Sequence, residues 1–228
     1  MTTPKRKSKY AEAHPKKQGI ELLPKNANQR AYIQALKTAP QIIITGPAGT
    51  GKTYIAATKA AQLYDAGLIE KIILTRPNVA SGRSLGFFPG TMEEKSAPWI
   101  VPFLEVLEEH LGVEPVKLAM SRGNITVVPF EVMRGRTFKE AFVILDEAQN
   151  ASAHELKMFL SRIGEGTQCV LNGDVMQSDL REKSGLKTIL EMIKDQNLPV
   201  PTIEFTVDDI VRSDICAMWI KSFIKAGL

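Results

Sequence analysis

The sequence predicts an α/β fold with a mostly parallel central sheet covered by helices on both faces, and three observations carry that prediction. Continuously apolar stretches, Ile42 to Thr45, "KIILTRP" (71–77) and "AFVILDE" (141–147), read as strands buried on both sides. Helical patterns separate them, so strand and helix alternate along the chain. "GPAGTGKTY" (46–54) follows the first strand and opens an alanine-rich helix. It matches G-x-x-x-x-G-K-[ST], a phosphate-binding loop at a strand-to-helix turn.

Taken in order, "PKNANQRAYIQAL" forms an N-terminal helix, the first strand follows, and "KTYIAATKAAQLYDAG" forms the helix after the loop. After strand 71–77 the segment "GRSLGFFPGTMEEKSAP" holds five glycines or prolines and reads as a loop. A helix "PWIVPFLEVLEEHL" and strands at 124–130 and 141–147 come next. "SAHE" (152–155) is a capping box that starts a helix around 153–163. Strand 167–174, a helix around 185–195, strand 202–206 and a helix around 213–226 complete the pattern. No internal repeat or linker interrupts 20–228, which is expected to be one domain behind an N-terminal arm, 1–19.

Composition bounds the function. The 228 residues are 44% hydrophobic, enough for a substantial core, and no apolar run nears the ~20 residues of a membrane helix. No apolar leader opens the chain. Cys169 and Cys216 are far apart and outside any CxxC or Cys/His cluster, so both are expected to be core residues of a chain in a reducing cytoplasm. The net charge of +4 is modest, but residues 4–19 carry six Lys/Arg against the single acid Glu12. Such an arm favours polyanions, or is simply a solvated tail.

The phosphate loop comprises Gly46, Pro47, Ala48, Gly49, Thr50, Gly51, Lys52, Thr53 and Tyr54. Its glycines let successive N–H groups turn toward phosphate oxygens, and the following helix adds its positive end. Lys52 is expected at the β- and γ-phosphates, and the Thr53 hydroxyl on Mg²⁺. "VILDEAQN" ends a buried strand with Asp146 and Glu147. The first suits the metal side opposite Thr53; the second suits a base that deprotonates water, which favours hydrolysis over transfer. "LNGDVMQSDL" places Gly173, Asp174 and Gln177 past another strand, with the Gln177 amide placed to contact the γ-phosphate or the lytic water. "TRPN" (75–78) ends a further strand. Ligands of such sheets lie at these carboxyl ends.

Together, "GPAGTGKT", "TRP…LGFFPG…EK", "MRGRTF" ahead of "FVILDEAQN", "KMFLSRIG", "NGDVMQSDL…SGL" and "DIVRSD" resemble, in that order, the PhoH-like ATPases. That family looks like superfamily 1 helicases reduced to one RecA-like core, and the resemblance runs from about Leu23 to Ile224. It implies a P-loop NTPase with a RecA-like three-layer sandwich, ATP and Mg²⁺ as cofactors, single-stranded RNA or DNA as partner, and a homo-oligomer, by family resemblance a hexameric ring. It also implies that Gln29 reads adenine, although composition alone makes Gln29 a surface residue. Gln177 matches the motif that couples the γ-phosphate to the nucleic-acid path. Arg212 resembles the arginine of the last helicase motif. With no room for a second RecA lobe, Arg212 or Arg162 is expected to complete a neighbour's site, the alternative for each being a surface salt bridge. Asn172 and Asn78 depart from the family's residues before "GD" and after "TRP". No fused nuclease or RNA-binding domain is expected.

For nucleic acid, Arg83, Arg134 and Arg136 are candidates for phosphates, and Phe87, Phe88 and Trp99 for base stacking, with Gly82, Gly86 and Gly90 hinging the loop. The phenylalanines are equally suited to pinning that loop to the core or to a neighbour. A small-molecule kinase and a slow ATPase that serves as a nucleotide-dependent assembly protein remain as alternatives.

Overall fold

The computed structural model describes residues 21–77, 92–128, 130, 133–177 and 184–226. In chain order it contains α1 (Ala27–Thr38), β1 (Gln41–Thr45), α2 (Lys52–Asp65), β2 (Lys71–Thr75), α3 (Met92–Leu111), α4 (Val113–Ser121), β3 (Ile125–Val127) and β4 (Ala141–Leu145). A 3₁₀ turn (Ala148–Asn150), α5 (Ala153–Leu160), β5 (Gln168–Gly173), α6 (Gly185–Asp195), β6 (Thr202–Glu204), a second 3₁₀ turn (Val207–Asp209) and α7 (Asp214–Ala226) follow. The strands form one six-stranded sheet in the order β3-β2-β4-β5-β1-β6, and every described pairing is parallel.

Continuous apolar strands require cover on both faces. One face packs Ile42, Ile44, Ile72, Leu74, Phe142 and Val170 against α1 to α4, and the other packs Ile43, Ile73, Val143, Leu145 and Leu171 against α5 and α6. The result is a three-layer sandwich with β4 buried throughout. Four fully buried alanines, Ala56, Ala57, Ala60 and Ala61, let α2 lie close under α3 and the sheet. Because β1, β4 and β5 all run the same way, the P-loop, the Asp146–Glu147 pair and the 173–177 segment leave the sheet at one edge.

Several expectations need correction. The stretch assigned to the loop 82–98 is helical from Met92 onward. Met, Glu, Lys and Ala in "MEEKSA" are good helix formers, and here they outweigh the nearby glycines and proline. Helix α4 has no counterpart in the sequence-based expectation. Gly112, at φ 92, separates it from α3, and Pro115 sits in its first turn, where a missing N–H is tolerated. Cys169 is buried as expected, but Cys216 is half-exposed on α7, a helix without a buried residue. The predicted capping box at Ser152 and Glu155 is present.

Candidate nucleotide-binding site

The carboxyl ends of the strands enclose a crevice of about 680 Å³ lined by Gly49, Lys52, Thr53, Asp146, Glu147 and Gln177, among others. Its floor is the P-loop. Gly46, Gly49 and Gly51 have φ of 128°, 82° and 89°, conformations that side-chain-bearing residues rarely adopt. A Cβ on Gly46 would also collide with the Phe205 carbonyl. The loop is held by Gly46 N–H donating to Gly173 O (3.1 Å), Val211 N–H to Gly49 O (2.9 Å) and the Thr50 hydroxyl to Pro47 O (3.1 Å). Gly51 caps α2 without a side chain, so the unpaired N–H groups of the first turn remain available to an anion. Ala48 and Tyr54 line the same crevice.

Lys52 lies along this loop, its ammonium donating to Gly46 O (2.6 Å) and Pro47 O (2.8 Å). Burial lowers its pKa, against the pull of Asp174, Asp146 and Glu147. The Thr53 hydroxyl donates to Asp146 Oδ1 at 3.2 Å, which brings together the two residues expected to flank a metal. Burial and then the Glu147 charge raise the Asp146 carboxyl above its ordinary value, while Arg76, the Thr53 hydrogen bond and Lys52 oppose the rise. Glu147 stands in the left-handed region (φ 53°, ψ 40°), which is rare for a residue with a side chain. Its carboxylate accepts a 2.6 Å hydrogen bond from Gln149 Nε2. A hydroxyl and a single carboxylate fit Mg²⁺, which keeps waters and binds substrate phosphates instead of filling an all-protein cage. No cluster of three or more ligating His, Cys, Asp or Glu occurs among the described residues.

Gln29 is buried against the P-loop and not on the surface. Its Nε2 donates to Thr50 O (2.9 Å), and its Oε1 accepts Lys25 N–H (2.8 Å). An amide has two hydrogens and two lone pairs, so these bonds leave one of each for a base. Arg212 packs its stem on Gly49 and lines its own chain's crevice. Val211, hydrogen-bonded to Gly49, explains why: it pulls the "DIVRSD" segment onto the loop, a contact between residues far apart in sequence.

The structure separates other candidates from the crevice. Arg162 follows α5, and its carbonyl accepts Phe138 N–H (2.8 Å) just ahead of β4, at the amino-terminal edge of the sheet. Its Nε is buried and has no partner among the described residues. Arg134 and Arg136 are exposed on a turn that leads to the same edge. Trp99, expected to stack on bases, packs half-buried against the α2–α3 core, with the Arg76 guanidinium 5.9 Å from its ring centre. Arg83, Phe87, Phe88, Asn78 and the basic arm lie outside the described residues. Asn172 is fully buried at the end of β5, and its amide has no partner among the described residues.

Sequence reasoning missed Gln149. It is 2% exposed, and besides Glu147 it reaches Gln177 O (3.3 Å) while accepting Asp174 N–H (2.9 Å). The signal was there, an amide two residues after the candidate base, but only the fold brings Asp174 and Gln177 to it.

Fold and site define a P-loop NTPase core. The solved large terminase of a thermophilic bacteriophage shares this fold, with a TM-score of 0.53 and 13% identity over 89% of this chain and 50% of that one. The PhoH-like protein family matches residues 21–224, and the chain belongs to it. It is 43% identical over 209 residues to the PhoH-like protein of Bacillus subtilis (strain 168), covering 91% of this chain and 65% of that protein. It is 39% identical over 206 residues to Protein PhoH of Escherichia coli (strain K12), covering 89% and 58%. The matched region thus spans about three-fifths of the length of these relatives. No helix among the described residues is long and apolar enough to cross a membrane.

Proposed function

We propose that the chain hydrolyses ATP and couples that hydrolysis to binding or remodelling of single-stranded RNA or DNA. The observation that carries the hydrolytic part is the convergence of Lys52, the Thr53–Asp146 pair at 3.2 Å and Glu147 in one crevice. Thr53 and Asp146 would hold Mg²⁺, which supplies charge neutralisation at the phosphates. The P-loop N–H groups and Lys52 bind and orient the β- and γ-phosphates, and the free hydrogen and lone pair of Gln29 suit the adenine edge. A water oxygen attacks the γ-phosphorus as the bond to the β–γ bridging oxygen breaks. Glu147 takes the water's proton, and ADP and phosphate leave. Gln177 and Arg212 both line the crevice, and in this reading they respond to the loss of the γ-phosphate.

The nucleic-acid part is supported by the sequence resemblance to helicase cores and by the exposed Arg134 and Arg136. A homo-oligomeric ring suits Arg162, which stands at the amino-terminal edge of the sheet, away from its own crevice, and would serve a neighbour's. Steady-state ATP turnover with and without poly-pyrimidine RNA and single-stranded DNA tests the reading, with Glu147→Gln as control. Stimulation by one polymer, lost in the control, is the expected result. Turnover indifferent to both polymers leaves an ATPase and removes the coupling. Transfer of phosphate from ATP to nucleosides would instead establish a kinase.

A further inference from the structure

Gln149 occupies a place made for it. A Cβ on Gly173 would collide first with Leu186 Cδ2 (2.5 Å) and would also crowd Gln149 Oε1 (3.0 Å), so the glycine at the end of β5 leaves room for Leu186 and for the amide. The Ser184 hydroxyl fixes the backbone by donating to Gln149 O at 2.7 Å. The side chain then joins Glu147, Gln177 and Asp174. Its NH₂ donates to Glu147 Oε2 (2.6 Å) and to Gln177 O (3.3 Å), and its carbonyl accepts Asp174 N–H (2.9 Å). These bonds use both amide hydrogens and one oxygen lone pair. The bond to Glu147 is short, as expected of a neutral donor on a carboxylate. Glu147 also holds a left-handed backbone conformation, which persists in folded proteins only where surroundings over-determine it.

We propose that Gln149 is a positioning residue: its amide sets the orientation of the Glu147 carboxylate and ties that orientation to the 174–177 segment. The water-activating group and Gln177 then respond to the nucleotide as one unit. A shift of the Gln177 backbone pulls on the same NH₂ that aims the carboxylate, and a change at Glu147 is returned to Asp174 and Gln177 by the same route. This rests on the reading that Glu147 activates water for ATP hydrolysis.

The test compares ATP kcat and KM, affinity for a fluorescent ATP analogue, and thermal melting in wild type, Gln149→Met, Gln149→Glu, Glu147→Gln and Glu147→Gln/Gln149→Met. Methionine keeps the volume and removes the hydrogen bonds to Glu147, Gln177 and Asp174. Glutamate keeps an acceptor for Asp174 N–H but sets a carboxylate against Glu147. The expected result is a kcat about 10- to 100-fold lower in Gln149→Met, the range seen when a supporting partner of an active-site group is removed. KM and analogue affinity stay within about twofold, and Gln149→Glu falls at least as far. The double variant is no slower than Glu147→Gln, because the two residues act through one group. Should Gln149→Met melt below the assay temperature, Gln149→Glu carries the same comparison. Wild-type kcat in the folded variants overturns the proposal, as does a loss confined to KM, or losses that multiply in the double variant. A wild-type chain that binds the analogue but hydrolyses no ATP overturns the ATPase reading and this one with it. That outcome is told apart by the silence of the wild type itself.

Discussion

The amino- and carboxyl-terminal edges of the sheet both contain residues in left-handed backbone conformations, yet their polar groups are handled in opposite ways. At the amino-terminal edge, Glu140 (φ 49°) and Gly166 (φ 69°) lie in segments whose backbone groups satisfy one another. Phe138 N–H meets Arg162 O, Gly164 N–H meets Phe138 O (2.8 Å each), and Glu140 N–H meets Glu165 O (3.1 Å). At the carboxyl-terminal edge, Glu147 and three P-loop glycines likewise have positive φ, but there Lys52, Asp146, Glu147 and Asp174 share one crevice, and Lys52 and Asp146 are displaced from their ordinary pKa values. Backbone strain therefore does not by itself mark the site in this molecule. Converging charge held partly out of water does.

The largest expected effects break that contrast directly. Lys52→Ala and Glu147→Gln should each lower ATP turnover by about 10²–10³ or more, the scale of losing a preorganised electrostatic or base contribution. Arg162→Ala should leave ATP-analogue affinity of the chain unchanged, because Arg162 stands at the other edge. Co-assembling Arg162→Ala with Lys52→Ala subunits sharpens the point. Each mixed contact that pairs an intact P-loop with an intact Arg162 should recover turnover if that arginine acts across an interface. No recovery removes the role.

A smaller pair of substitutions compares the two edges at equal chemistry. Gly46→Ala meets both an unfavourable φ of 128° and the backbone oxygen of Phe205, which cannot move without dislodging β6 from β1. A loss of about 3 kcal/mol or more is expected in chemical denaturation. At Gly166 the three atoms nearest a Cβ all belong to the Glu140 carboxylate, the far end of a side chain that can swing away. Gly166→Ala should cost only the left-handed penalty of about 1–2 kcal/mol. Equal costs would mean that the P-loop is not clamped by the segment after β6.

What the sequence could reveal follows from the range of each interaction. The P-loop and the Asp146–Glu147 pair were legible because their chemistry is written in contiguous residues and their place follows from strand ends. The buried Gln29 and the location of Arg212 were not. Gln29 is buried because Thr50 O, 21 residues away, accepts from it, and Arg212 is set by Val211 on Gly49, a contact no local pattern encodes. Gln149 was hidden for the same reason, since its other partners, Asp174 and Gln177, lie one strand over. Cys216 was misjudged from hydrophobicity, which says that a residue can be buried, not that a neighbour exists to bury it.

The smallest expected effect separates function from stability at Asp146. Burial and the Glu147 charge raise its carboxyl above the ordinary 3.8, so between 3.8 and the raised value the folded chain keeps a proton that the unfolded chain gives up. Stability therefore falls as pH rises through that window, and the penalty persists above it. Asp146→Asn has no proton to lose. It should melt higher than wild type at pH 7, with the difference shrinking as pH falls toward the ordinary carboxylate range. Turnover should be lost in the same variant, because the acid opposite Thr53 is gone. Stability and activity would then move in opposite directions at a single atom pair, as expected where a charge is kept in an unfavourable place for its chemistry. A variant that melts lower at pH 7 would show the reverse: that the Thr53 hydrogen bond and the attraction of Arg76 and Lys52 outweigh burial, and that Asp146 is held there first of all by the fold.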